Sequence, residues 1–136
     1  MVSINIWAVL VAALAYMVIG MVWYSPLLFG NKWLALMNKT PKELKKMRKG
    51  ATKAYVFSIV LALVTSYVLA QFLSFLAAWT FLNGLVVAFW LWLGFVATLQ
   101  LNSVLYEQKP FVIYLINMGC SLVSLLVMSA ILVAWV

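Results

Sequence analysis

The chain has 136 residues, of which 68% are hydrophobic and 8% charged, and its net charge is +7. A typical soluble domain is about half apolar and about a quarter charged, so no water-soluble fold of this length hides so much apolar surface, and there is room for one domain only. Lys32, Lys39, Lys42, Lys45, Lys46, Arg48, Lys49 and Lys53 all stand in one segment between two apolar runs, which argues against the spread basic platform of a nucleic-acid reader and for anionic lipid headgroups as partners.

The first apolar run needs about 20 residues to cross about 30 Å of hydrocarbon, and residues 4–24 supply them with Asn5 as the one strongly polar intruder. No Lys or Arg precedes the run, so the basic start of a cleavable signal peptide is missing and the run is expected to remain as a helix. Pro26 ends it, because the residue before a proline is pushed out of helical geometry. Trp23, Tyr24, Ser25, Pro26, Phe29 and Trp33 then form an interfacial motif with an aromatic belt at headgroup level.

A basic segment at 31–53 follows. Thr40-Pro41-Lys42-Glu43 has the form of a capping box with proline at the first helical position, and Gly50 is the matching stop. Leu44 and Met47 make a narrow apolar strip, while Lys42, Lys45, Lys46, Arg48 and Lys49 cover the rest. The expectation is a short basic helix lying on a membrane surface against anionic lipid; the plainer reading is a solvated linker.

From residue 54 to 99 there is no charge, a length that as helix is about twice the membrane thickness. It must fold back, and a turn near Ala77 gives spans of about 54–75 and 80–105, with Gln71 level with Asn83 so that the two amides could pair. Glu107-Gln108-Lys109-Pro110 makes the next turn, and 111–135 is the fourth span. Lys109 falls on the side of the basic segment, so the positive-inside rule makes that side cytoplasmic and both termini non-cytoplasmic. The expected architecture is an all-α membrane protein, four transmembrane helices in an up-down bundle with a short basic interfacial helix between the first two.

The inventory is poor in reactive groups: no His, no Asp, and two acids, Glu43 and Glu107. With one cysteine, Cys120, neither an internal disulfide nor a cysteine-based metal centre is available. Ser-His-Asp sites and paired-carboxylate chemistry lack their members, so a non-catalytic protein without metal or cofactor is expected. What remains is a polar cluster. Thr98 and Asn102 are one turn apart with Gln100 between them, and Asn117, Ser121 and Ser124 share a face of the fourth helix, with Asn117 level with Gln100. Uncharged polar groups in hydrocarbon require protein partners or a cavity, so these residues are either glue between helices or the lining of a site for a small neutral solute, water or lipid.

Glu107 reads as a turn acid beside Lys109, or as a gate or partner-binding acid. Gly84 and Ala88, and Gly94 and Thr98, have the four-residue spacing that permits close helix approach, which suits self-association or packing as an accessory subunit of a larger membrane complex. Trp90 and Trp92 lie mid-span and are expected to fill space between helices or subunits.

Several of these stretches together resemble a known family. Trp23-Tyr24-Ser25-Pro26-Leu27-Leu28-Phe29-Gly30 with Trp33, Lys53-Ala54-Tyr55, Trp90-Leu91-Trp92-Leu93-Gly94-Phe95, Asn102-Ser103-Val104-Leu105-Tyr106-Glu107 and Leu115-Ile116-Asn117 look like the family labelled domain of unknown function 1761, over essentially the whole chain. The resemblance implies a small prokaryotic-type membrane protein of four helices with no assigned activity. Family members often carry a His near the position of Gln71 and Thr-Thr near Leu99 and Gln100, and this sequence departs at both places.

Overall fold

The computed structural model describes residues 4–25, 28, 32, 35–36, 41–107 and 110–135, apart from the side chains at 44, 47, 48 and 51. Every regular element among the described residues is helical. Helix α1 is Ile6–Trp23, α2 is Pro41–Lys49 and α3 is Ala51–Phe75. Helix α4 is continuous through three stretches, Phe81–Leu91, a wider π-helical Trp92–Ala97, and Thr98–Tyr106, and α5 is Phe111–Ala134. The expected cap at Thr40, the belt residues Pro26, Phe29 and Trp33, the side chains of Leu44, Met47 and Arg48, and the turn residues Gln108 and Lys109 lie outside the described residues.

Four of the helices, α1, α3, α4 and α5, are long and apolar enough to cross a membrane. The sorting of side chains fits that solvent. Small residues are buried, among them Ala8, Ala12, Ala13, Ala62, Ala70, Ala88 and Ala97, while Leu14, Phe57, Leu61, Phe75, Trp90 and Phe95 are exposed. Lipid tails are as apolar as leucine, so large apolar groups gain little by turning inward, whereas small ones let backbones approach and make van der Waals contact. Helices apolar all round are what such an arrangement needs.

The helix ends have identifiable causes. Asn5 is the N-cap of α1: its Oδ1 accepts the Trp7 N–H at 3.0 Å, and its Nδ2 donates to Trp135 O at 3.1 Å. The polar intruder of the first run is therefore a cap that also ties the start of α1 to the end of α5. At the far end of α1, Trp23 Nε1 donates to Ile116 O, so α1 and α5 run in opposite directions. Gly50 ends α2 in a right-handed conformation (φ −86°), and α3 starts at once after it, three residues ahead of the expected 54. Helix α3 ends at a Schellman turn, with Ala78 N–H bonding Leu73 O at 2.9 Å and Ala77 N–H bonding Ser74 O at 3.2 Å. Ala77 takes the left-handed position (φ 52°) where glycine is usual, at a cost of about 1–2 kcal/mol. Thr80 then caps α4, its Oγ1 accepting the Asn83 N–H at 3.1 Å.

Helix α1 lies between α3 and α5, and α5 lies between α1 and α4. Helix α3 meets α4 sparsely, and there against its Phe81–Leu91 stretch. Two buried hydroxyls stitch the tight contacts: Ser66 Oγ donates to Val9 O at 2.9 Å, joining α3 to α1, and Ser129 Oγ donates to Gly84 O at 2.6 Å, joining α5 to α4. The Gln71–Asn83 pair is not made. Gln71 Nε2 donates instead to the Tyr67 hydroxyl one turn earlier on its own helix, and Asn83 is exposed. A long amide finds a partner one turn away more readily than across a loosely packed pair of helices.

Ala12, Ser66 and Met128 form the closed waist of the molecule, each with 0% exposure. A cavity opens at each end of it. The one near the chain ends, about 450 Å³, lies among Asn5, Ala70, Ser74, Trp79 and Trp135.

Candidate functional site

The larger cavity, about 670 Å³, lies at the opposite end and takes residues from all four long helices. Helix α1 contributes Tyr16, Met17, Gly20, Met21 and Tyr24, a stripe at helical spacing; α3 contributes Tyr55 and Ser58; α4 contributes Val96 and Gln100; α5 contributes Asn117, Met118, Cys120 and Ser121. Its lining holds hydroxyls, amides, a thiol and thioethers, with no carboxylate and no basic group among the described residues. No group of three or more His, Cys, Asp or Glu suited to a metal ion is present among the described residues.

Aromatic donors on α1 and α4 fix the rim. Trp23 Nε1 donates to Ile116 O at 2.9 Å, the Tyr24 hydroxyl to Asn117 Oδ1 at 2.5 Å, and Trp92 Nε1 to Met118 O at 3.0 Å. Three consecutive residues of α5 thus receive ring donors from two helices. Gly119 is the reason the α1 ring can come so close, because a Cβ there would stand 3.0 Å from Trp23 Cζ2. The π-helical stretch of α4 belongs to the same region. Its wider turn directs two carbonyls to hydroxyls: Gly94 O accepts from Thr98 Oγ1 at 2.7 Å, and Ala97 O accepts from the Tyr114 hydroxyl at 2.7 Å. Trp92 and Tyr114 therefore pin the two ends of that stretch to α5.

The family model for a protein of unknown function (DUF1761) matches residues 7–133. The chain belongs to the DUF1761 family. No curated protein and no solved structure matches it. In this DUF1761 chain the stretches that carry the resemblance are far apart in sequence, yet Trp23 and Tyr24, Trp92, and Ile116 and Asn117 meet at one spot through the hydrogen bonds just described.

Of the expected polar cluster, Gln100, Asn117 and Ser121 line the cavity. Thr98 and Asn102 do not: both are exposed, and Thr98 satisfies its hydroxyl on its own helix. At about 100° per residue, positions two before and two after Gln100 face the other way, so the cluster splits between two faces. Ser124 is buried below the cavity; its Oγ makes no hydrogen bond of normal geometry among the described residues, and the Cys120 thiol one turn earlier is the polar group beside it. Ser121 Oγ donates to Asn117 O on its own helix.

Trp23 and Tyr24, expected at headgroup level, are also engaged within the bundle at the end of α1. Both are half-buried and turned toward α5, since a ring N–H or O–H away from water takes whatever acceptor is in reach. Ser25 Oγ donates to Val22 O at the end of α1. Gly84 and Ala88 are buried in the α4–α5 contact, but Gly94 is exposed and a Cβ there would meet nothing within 4 Å. Trp90 is likewise 63% exposed, whereas Trp92 packs against Phe89. Glu107 is exposed at the end of α4, where its N–H bonds Ser103 O. Lys42, Lys45, Lys46 and Lys49 are exposed along α2.

Tyr16, Gly20, Tyr55, Ser58 and Cys120 are among the lining residues that sequence reasoning missed, with Met17, Met21, Val96 and Met118. The spacing of Tyr16, Gly20 and Tyr24, four apart each time, was a readable signal for one face of α1.

Proposed function

We propose that this protein is a multi-pass membrane protein, an up-and-down bundle of four spans, that holds a small neutral ligand in the cleft between them without transforming it. The observation that carries the reading is the lining: hydrogen-bonding groups from all four helices surround about 670 Å³, with no ionic side chain among the described residues that line it. That size falls within the range of about 300–1,000 Å³ usual for ligand sites. An amide in hydrocarbon needs a partner, and Asn117 has one in Tyr24; Gln100 makes no side-chain bond among the described residues and is available to a guest.

Gly20 supplies the test. It lines the cleft, and a Cβ there meets nothing within 4 Å, so the side chain of Gly20→Leu starts into open space and is expected to occupy the cleft. The expected result is loss of copurifying small molecules, read by mass spectrometry, with thermal stability kept or raised by about 0.5–1 kcal/mol because glycine leaves a helix interior. Asn102→Leu, on the other face, should change neither. A Gly20→Leu protein that retains the same small molecules as the parent removes this reading.

Orientation is part of the proposal. The exposed lysines of α2 support contact with anionic headgroups, at about 1 kcal/mol per basic residue near the surface, and support a cytoplasmic location for that end with both termini on the other side. Cysteines introduced at Lys46 and at Ala77 separate the alternatives. An impermeant thiol reagent applied to intact cells should label the Ala77 variant only, and labelling at 46 instead would invert the topology.

A further inference from the structure

We infer that the cleft is reached sideways from the bilayer, between α3 and the second half of α4, and that its guest is a membrane-dissolved amphiphile with an uncharged, oxygen-bearing head. The inference deepens the proposed function and rests on it.

The packing order supplies the opening. Helices α1 and α5 form the back of the cleft and pack tightly on each other. The helices at its two flanks, α3 and α4, pack sparsely, and chiefly along Phe81–Leu91. Further along, Tyr55 and Ser58 on α3 and Val96 and Gln100 on α4 border the same space with at most slight helix contact between their stretches among the described residues. A water-soluble guest has no use for a gap that faces hydrocarbon. A lipid-soluble one has a direct path through it.

The chemistry of the lining sets the head. Tyr55, Ser58 and Gln100 offer hydroxyls and an amide to an ester, carbonyl or hydroxyl oxygen, and Ser121, whose O–H is given to Asn117 O, offers its oxygen as an acceptor to a guest hydroxyl. Among the described lining residues a phosphate or ammonium head would find no opposite charge, at several kcal/mol in a site of low dielectric, which favours a neutral head. Met17, Met21 and Met118 on the back wall give flexible thioether surface that adapts to an irregular apolar body. The π-helical stretch also bears on the opening, because Val96 lies within it and its ends are held by Trp92 and Tyr114.

The test uses the full chain reconstituted in phosphatidylcholine vesicles with radiolabelled 1-monooleoylglycerol, followed by detergent extraction and a count of label per protein. The expected result is retention near one per chain. It should fall at least fivefold in Gly20→Leu, which fills the cleft, and equally in Val96→Trp and in Ser58→Trp, which narrow the opening from opposite sides, while excess free glycerol displaces nothing. Two opening variants are used so that a folding defect in one, seen as a lowered melting temperature, leaves the other to decide. Retention lost in Gly20→Leu but kept in both opening variants overturns sideways access and leaves the cleft as a site. Absence of retention in the parent protein overturns the ligand class alone, because the small molecules that copurify with it judge the site independently. Equal retention in all four proteins marks the label as surrounding lipid and overturns the inference.

Discussion

A leucine at Gly84 is expected to cost this protein most or all of its folded population in detergent. The reason is the closeness of α4 and α5. A Cβ at Gly84 would stand 2.7 Å from Val133 Cγ2 and 3.0 Å from Ser129 Oγ, and that same hydroxyl donates to Gly84 O at 2.6 Å. Alanine can be met in part by rotation of Val133, so Gly84→Ala should cost about 1–2 kcal/mol, the overpacking penalty less what alanine gains in helix propensity. Leucine adds three more carbons where the backbones touch. It must push the helices apart, losing the Ser129 bond and the packing around Ala88 together, for roughly 3 kcal/mol or more. Thermal unfolding of the purified variants gives the comparison. Val133→Ala, which removes the atom nearest the new Cβ, should recover part of the Gly84→Ala loss; a Gly84→Leu protein that melts with the parent would show that α4 and α5 do not approach this closely.

The second large effect is expected at Gly119, where valine should cost about 2–4 kcal/mol and deform the cleft. Here the obstacle is a ring, with Trp23 Cζ2 3.0 Å from the position of a Cβ and Cη2 3.5 Å from it. The indole cannot swing aside freely because its Nε1 is bonded to Ile116 O. Overpacking accounts for about 1–3 kcal/mol and the lost ring hydrogen bond for about 1 kcal/mol. Since Tyr24 is the next residue, the displacement should also pull its hydroxyl from Asn117, so copurifying ligand should fall with stability. The double variant Gly119→Ala/Trp23→Phe, with a smaller ring opposite the new methyl, should lose less than the sum of its single variants. Strict additivity would sink the assignment of this contact.

The four long helices were legible because the signal they leave, about 20 apolar residues between charges and prolines, depends on bilayer thickness and little on tertiary detail. Ala77 at the hairpin turn was also legible, from length alone. The site was only partly so. Gln100, Asn117 and Ser121 stood out as amides and a hydroxyl in apolar surroundings, and they line the cleft; Thr98 and Asn102 stood out equally and face away. In a helix that is apolar all round, no periodicity marks the inner face, so a polar residue announces that it needs a partner without saying on which side. Tyr24 illustrates the same gap. Its place after a transmembrane run suggested headgroups, and only the approach of α5 at Gly119 turns the pair Trp23 and Tyr24 inward. The small residues repeat the lesson, since Gly84 and Gly94 are alike in sequence and opposite in surroundings.

The closed band of Ala12, Ser66 and Met128 has an electrical consequence. Cavities of about 450 and 670 Å³ reach toward it from the two ends, so in a membrane, whenever water rather than a guest fills them, the insulating thickness is smaller there than elsewhere, and the field across the bilayer concentrates over those few residues. Carrying one elementary charge through a potential of 100 mV is worth about 2.3 kcal/mol, yet the four long helices hold no charged side chain except Lys53 near the start of α3. The steepest part of the voltage drop therefore falls on neutral, close-packed atoms. The band is a dielectric seal: it bears the potential without being moved by it.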